Sequence, residues 1–114
     1  MAHSVSPWSG FPVGAALLCA DGAIVTGCNI ESPTLLHEIC AERVALIKAL
    51  SMGRRAFTHL AVTAAKRPAI APCGVCRQML MEFAPDLMVI AAGEDGQIRQ
   101  RELRELLPDP FLKP

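Results

Sequence analysis

Two segments, Cys40-Ala41-Glu42-Arg43 and Pro72-Cys73-Gly74-Val75-Cys76, constrain this chain more than any other feature. A C-x-x-C alone is ambiguous, because structural zinc ribbons and dithiol redox motifs share that spacing. Joined to an upstream C-x-E it supplies three thiols and a lone carboxylate. That is the donor set of a catalytic Zn2+ site, which needs three protein ligands, an open fourth position and a base beside it. The fold must then bring Cys40, Cys73 and Cys76 together with Glu42 alongside, and the rest of the chain reads as scaffold for that meeting.

The pattern along the chain predicts how the meeting is arranged. Residues 1–10 hold Ser4, Ser6, Pro7, Ser9 and Gly10 without helical period and read as an extended lead-in. Val13 to Cys19 and Ala23 to Cys28 are short apolar runs around Asp21-Gly22, a hairpin signal. Cys19 and Cys28, at the strand ends, read as small buried hydrophobes. Asn29 and Glu31 follow, placed by strand alternation on one side, where an amide and a carboxylate can face one cavity. His37 to Met52 reads as a helix with an apolar stripe of Ile39, Val44, Ile47 and Leu50, stopped by Gly53. Cys40 and Glu42 then lie in its first turns, where the amides of a helix N-terminus favour a thiolate.

Thr58 to Ala65 reads as a central third strand, and Cys73 to Phe83 as a second helix carrying both remaining thiols in its first turn. Leu87 to Ala91 reads as a fourth strand, Glu94-Asp95-Gly96 as a turn, Gln97 to Arg99 as a short fifth strand, and Arg101 to Leu107 as a last helix with a solvated charged face. Strands alternating with helices predict a single α/β layered domain over residues 1–114, a mixed five-stranded sheet flanked by helices.

The C-x-E and P-C-x-x-C pair matches the signature of zinc deaminases. Ser9-Gly10-Phe11-Pro12-Val13-Gly14-Ala15-Ala16-Leu17, Gly27-Cys28-Asn29-Ile30-Glu31, Cys76-Arg77-Gln78 and Glu105-Leu106-Leu107-Pro108 with Phe111 extend the likeness. In that order they resemble the landmarks of the small, homotetrameric cytidine deaminases, over nearly the whole chain.

The resemblance implies the cytidine deaminase fold, with Cys40, Cys73 and Cys76 as ligands of one Zn2+. It implies Glu42 as the proton shuttle in replacing an amino group by oxygen, and Arg43 as a hydrogen-bond donor to the cysteine sulfurs. It further implies Asn29 and Glu31 as partners of the ribose hydroxyls, with Phe11 and Phe111 lining the nucleoside pocket, Phe111 from a neighbouring subunit. Core packing is an equal alternative for Phe11. Trp8 stands where the family usually has tyrosine. Family members commonly begin with a helix that this sequence lacks, and Ser32-Pro33-Thr34-Leu35-Leu36 departs from their usual loop. The loop change leaves room for a different aminated heterocycle, such as the substrate of the related blasticidin S deaminases.

Composition narrows the partners. Lysine plus arginine number 11 and aspartate plus glutamate 11, so the formal net charge is zero. A polynucleotide partner is disfavoured, because phosphate neutralisation demands a basic excess. No apolar span of about 18 residues and no leader pattern is present, which leaves membrane insertion and secretion unsupported and makes the cytoplasm the expected compartment. Five cysteines, an odd count, fit metal ligation in a reducing compartment better than a disulfide framework. Hydrophobic residues make up 52% against 19% charged, an apolar excess that fits burial between subunits of a homotetramer with shared sites. A structural zinc module is the alternative of another class, but it needs a fourth ligand. Only His37 is near, and Glu42 would then have no task.

Overall fold

A short hairpin begins the sheet. In the computed structural model, which describes residues 3–5, 12–31, 39–64, 74–93 and 96–106, β1 (Val13–Cys19) reverses at Asp21-Gly22 into β2 (Ile24–Cys28). The Asp21 carboxylate accepts the Ala23 N–H at 3.1 Å, and the Cys19 N–H reaches the Ala23 carbonyl at 2.8 Å, closing the turn with local bonds. Register runs from Gly14 opposite Cys28 to Leu18 opposite Ile24.

Helix α1 (Ala41–Ser51) follows and leads to β3 (Phe57–Ala64), the central strand. Helix α2 (Gly74–Phe83), β4 (Met88–Ala92), β5 (Ile98–Glu102) and the single turn α3 (Leu103–Leu106) complete the order. The strands lie as β2-β1-β3-β4-β5, with β3 and β4 parallel and every other neighbour pair antiparallel. The mixed five-stranded sheet of the sequence reading is thus present. Among the described residues no helix is long and apolar enough to cross a membrane.

Strand alternation sends Ala15, Leu17 and Cys19, then Leu60 and Val62, then Val89 to the face that α1 and α2 cover. Leu17, Leu46, Leu60, Leu87 and Leu103 are fully buried there, each worth about 1.5–3 kcal/mol of apolar transfer.

Three expectations are corrected. The buried side of α1 is Ala41, Glu42, Ala45, Leu46 and Ala49, while Ile47 of the expected stripe is exposed and Val44 and Leu50 are half-buried. The reason is distance: α1 crosses β2 so closely at Gly27 that a Cβ there would lie 2.5 Å from the Ala45 nitrogen and 2.6 Å from the Ala41 carbonyl oxygen. Only small residues fit such an approach, so Ala41 and Ala45 take the contact with β2 and Ile47 turns outward. Second, Cys40 is not within the helix; it is the N-cap, in extended conformation with φ −65° and ψ 150°. Third, Arg101 and Glu102 belong to the fifth strand, pairing with Val89 and Met88, and only one helical turn follows. All of β5 is exposed, and its Arg99, Arg101 and Glu102 are the charged residues that keep an edge strand from pairing further.

Candidate active site

The chemistry gathers where α1 and α2 begin. Glu42 is the second residue of α1 and only 4% exposed, and Cys76 is the third residue of α2 and fully buried. The Cys40 thiol does not cap its helix. It turns instead toward Glu42 and Cys76, and the two sulfurs and a Glu42 carboxylate oxygen all lie within 4.8 Å of one another. Both helix N-termini place positive partial charge near this group, which suits thiolates. Cys19 and Cys28 are not members of it. Cys73 lies outside the described residues.

Two soft sulfur donors beside a carboxylate, largely shut from water, are the donor chemistry that zinc selects, so the residues fit the metal expected from the sequence. Arg43, the next residue along α1, is half-buried.

A second group sits at the end of β2. Asn29 is 1% exposed and replaces a ladder partner for Val13: its backbone N–H donates to the Val13 carbonyl at 3.2 Å, and its side-chain Oδ1 accepts the Val13 N–H at 2.9 Å. The Ser4 hydroxyl also donates to Asn29 Oδ1. Val5 then runs parallel to Ile30, with its N–H on the Asn29 carbonyl at 3.1 Å and its carbonyl accepting the Glu31 N–H at 2.8 Å. On its other side Ile30 exchanges two bonds with Ile39, at 3.0 and 2.9 Å. The Asn29-Ile30-Glu31 segment is therefore held from both sides, one residue from Cys40. Glu31 is half-buried.

Phe11 and Phe111, along with Trp8, His37 and the Ser32 to Leu36 loop, lie outside the described residues. Two residues in the network were not singled out in the sequence. Ser4 falls within the lead-in, because a lone serine near a chain start carries no pattern. Arg77 was seen only as part of a motif, yet its Nη1 donates to the Leu106 carbonyl at 3.0 Å and so ties α2 to the residue that opens the Leu107 to Phe111 segment.

The sequence model of the cytidine and deoxycytidylate deaminase zinc-binding region matches residues 1–92. A cytidine deaminase of Sporosarcina psychrophila is 46% identical over 108 residues, covering 94% of this chain and 79% of that protein. The crystal structure of a cytidine deaminase from Burkholderia pseudomallei superposes with a TM-score of 0.91 at 41% identity, covering 96% of this chain and 89% of that one. A blasticidin-S deaminase of Bacillus cereus is more distant, at 29% identity over 111 residues, 89% of this chain and 77% of that protein.

Proposed function

The chain belongs to the family of cytidine and deoxycytidylate deaminases, and from that premise we propose that it is a zinc-dependent hydrolase converting free cytidine or deoxycytidine to the corresponding uridine with release of ammonia. The observation that carries this reading is the convergence of Cys40, Glu42 and Cys76 at two helix starts, with the carboxylate buried.

Cys40, Cys73 and Cys76 would hold the zinc. When bound, the metal supplies Lewis acidity that brings the pKa of a water molecule toward neutrality. Glu42 accepts the proton of the attacking water and passes it to the ring nitrogen beside the amino-bearing carbon. The water oxygen bonds to that carbon, giving a tetrahedral centre; Glu42 then delivers the second proton to the amino group, which departs as ammonia. Its burial keeps bulk water from competing for the proton. Three thiolates on a dication leave one net negative charge, which weakens the Lewis acid. Arg43 and the two helix N-termini offset it.

Asn29 and Glu31 take the sugar hydroxyls, and Phe11 flanks the base. A formal charge of zero offers nothing to track a polynucleotide strand. The assembly is a homotetramer in which Phe111 of each chain closes a neighbour's pocket. Exposed Ile24, Ile47, Met52, Phe83 and Ile98 support burial between subunits, and the Arg77 bond to Leu106 supports a fixed departure point for the segment bearing Phe111. Thiolate ligands suit the reducing cytoplasm, and the reaction belongs to pyrimidine salvage.

Purified protein offered cytidine, deoxycytidine, cytosine, adenosine and blasticidin S, with ammonia as the readout, tests the proposal. Turnover of the two nucleosides is expected. Turnover of blasticidin S alone, or of none, overturns it.

A further inference from the structure

Cys40 and Cys76 come from two different helix starts, yet their sulfurs lie within 4.8 Å of each other and of a Glu42 carboxylate oxygen, and neither cysteine is in a disulfide. A dication is one way to hold two sulfurs and a carboxylate so close. A disulfide, which is neutral, is the other state in which the two sulfurs can stay in contact away from water. The two thiols also differ in access. Cys40 is half-buried, and its sulfur is not committed to capping α1, whereas Cys76 is fully buried. A small oxidant arriving from solvent therefore meets Cys40 first, with Cys76 directly behind it. An accessible thiol at a helix N-terminus with a second thiol in reach is the arrangement that oxidises reversibly.

We propose that Cys40 is an oxidation site and Cys76 its resolving thiol, so that hydrogen peroxide converts the pair to a reversible disulfide and displaces the metal. This rests on the reading of both residues as zinc ligands. The Cys40 thiolate attacks one peroxide oxygen; an S–O bond forms, the O–O bond breaks and hydroxide leaves, giving a sulfenic acid. The Cys76 thiolate then attacks that sulfur; the S–S bond forms, the S–O bond breaks and a second hydroxide leaves. The two thiolates have lost two electrons and the peroxide has gained them, and the two hydroxides become water with protons from the solvent. Zinc needs thiolates, so the disulfide removes two of its proposed ligands at once. Burial shelters Cys76 from direct attack, which leaves it available to resolve the sulfenic acid before further oxidation makes the change irreversible. A reducing thiol reverses the link and returns both donors.

The test treats the zinc-loaded wild-type protein with hydrogen peroxide in excess and follows metal release with a chelating dye, together with intact mass and disulfide mapping. Cleavage after glutamate frees residues 39–42, which carry Cys40 apart from Cys19 and Cys28, and tandem mass spectrometry then identifies the sulfur joined to it. The expected result is a loss of about 2 Da per chain, the mass of two hydrogens, in step with zinc release and with a link between Cys40 and Cys76. Dithiothreitol followed by fresh zinc should restore the full metal content. A link between Cys73 and Cys76 alone, a sulfinic acid at Cys40 without any disulfide, or thiols and zinc left unchanged by peroxide each overturns the proposal. A wild-type protein that holds no zinc yet forms the link between Cys40 and Cys76 overturns the metal reading and leaves the oxidation site standing, so the two failures are separable.

Discussion

Gly27→Ala is the substitution whose effect follows most directly from geometry. Gly27 pairs with Ala15 in the sheet and faces the backbone of α1. Its new Cβ would stand 2.5 Å from the Ala45 nitrogen, 2.6 Å from the Ala41 oxygen and 3.1 Å from the Ala45 Cα, where ordinary contact begins at 3.4 Å. The shortfall is about 0.9 Å, and all three obstructing atoms belong to the helix, so no side chain can swing aside. Either α1 lifts from β2 or the strand buckles, at a cost of about 1–3 kcal/mol for overpacking. Ala41 lies between Cys40 and Glu42, so a helix displaced there carries the proposed metal ligand and the proposed proton shuttle with it. A displacement near 1 Å costs about 100-fold in rate when reacting groups must be aligned. The expected result is therefore a modest drop in the urea midpoint with a disproportionate drop in kcat and faster zinc loss to a chelator. Gly22→Ala is the control: nothing lies within 4 Å of its Cβ, but φ is +92°, so it should cost about 1–2 kcal/mol of stability with kcat intact in the folded fraction. Wild-type midpoint and turnover in Gly27→Ala would refute the close-contact argument.

Glu42→Gln is expected to keep zinc and fold and to lower turnover by a factor of about 10²–10⁴, checked by steady-state kinetics beside elemental analysis. Cys40→Ser, Cys73→Ser and Cys76→Ser should each lose bound zinc while Cys19→Ser and Cys28→Ser retain it, measured by metal content per chain; full retention in Cys76→Ser would remove the site. Phe111→Ala should raise KM for nucleosides without altering metal content. Mixing its subunits with Glu42→Gln subunits should recover some activity after exchange, and no recovery despite exchange proven by mass spectrometry would defeat the shared pocket.

How far the residues alone disclosed this arrangement depends on which physical signal each part used. The hairpin was readable because a breaker pair stands between two apolar runs, and β1 occupies the same residues, Val13 to Cys19, that the pattern marked. The meeting of Cys40, Glu42 and Cys76 was readable because metal-binding side chains recur at fixed spacings. The inner side of α1 was misread because periodicity gives weight to bulky residues, whereas a helix seated against a glycine buries alanines at 41, 45 and 49 and turns Ile47 outward. The alternating charges from Arg99 to Glu105 were divided wrongly, since a solvated helix face and an exposed edge strand have the same composition; only pairing with β4 separates them. Ser4 was illegible for another reason. Its hydrogen-bond partner Asn29 lies 25 residues away, which no local pattern encodes.

The paired bonds between Ile30 and Ile39 tie together the two segments that lead to the proposed site. Ile30 lies between Asn29 and Glu31, and Ile39 precedes Cys40, so the segment proposed to meet the sugar and the one proposed to anchor the metal share a restraint. If that restraint transmits a change from one segment to the other, linkage requires the effect to be reciprocal: whatever factor zinc added to nucleoside affinity, a bound nucleoside would add to zinc affinity.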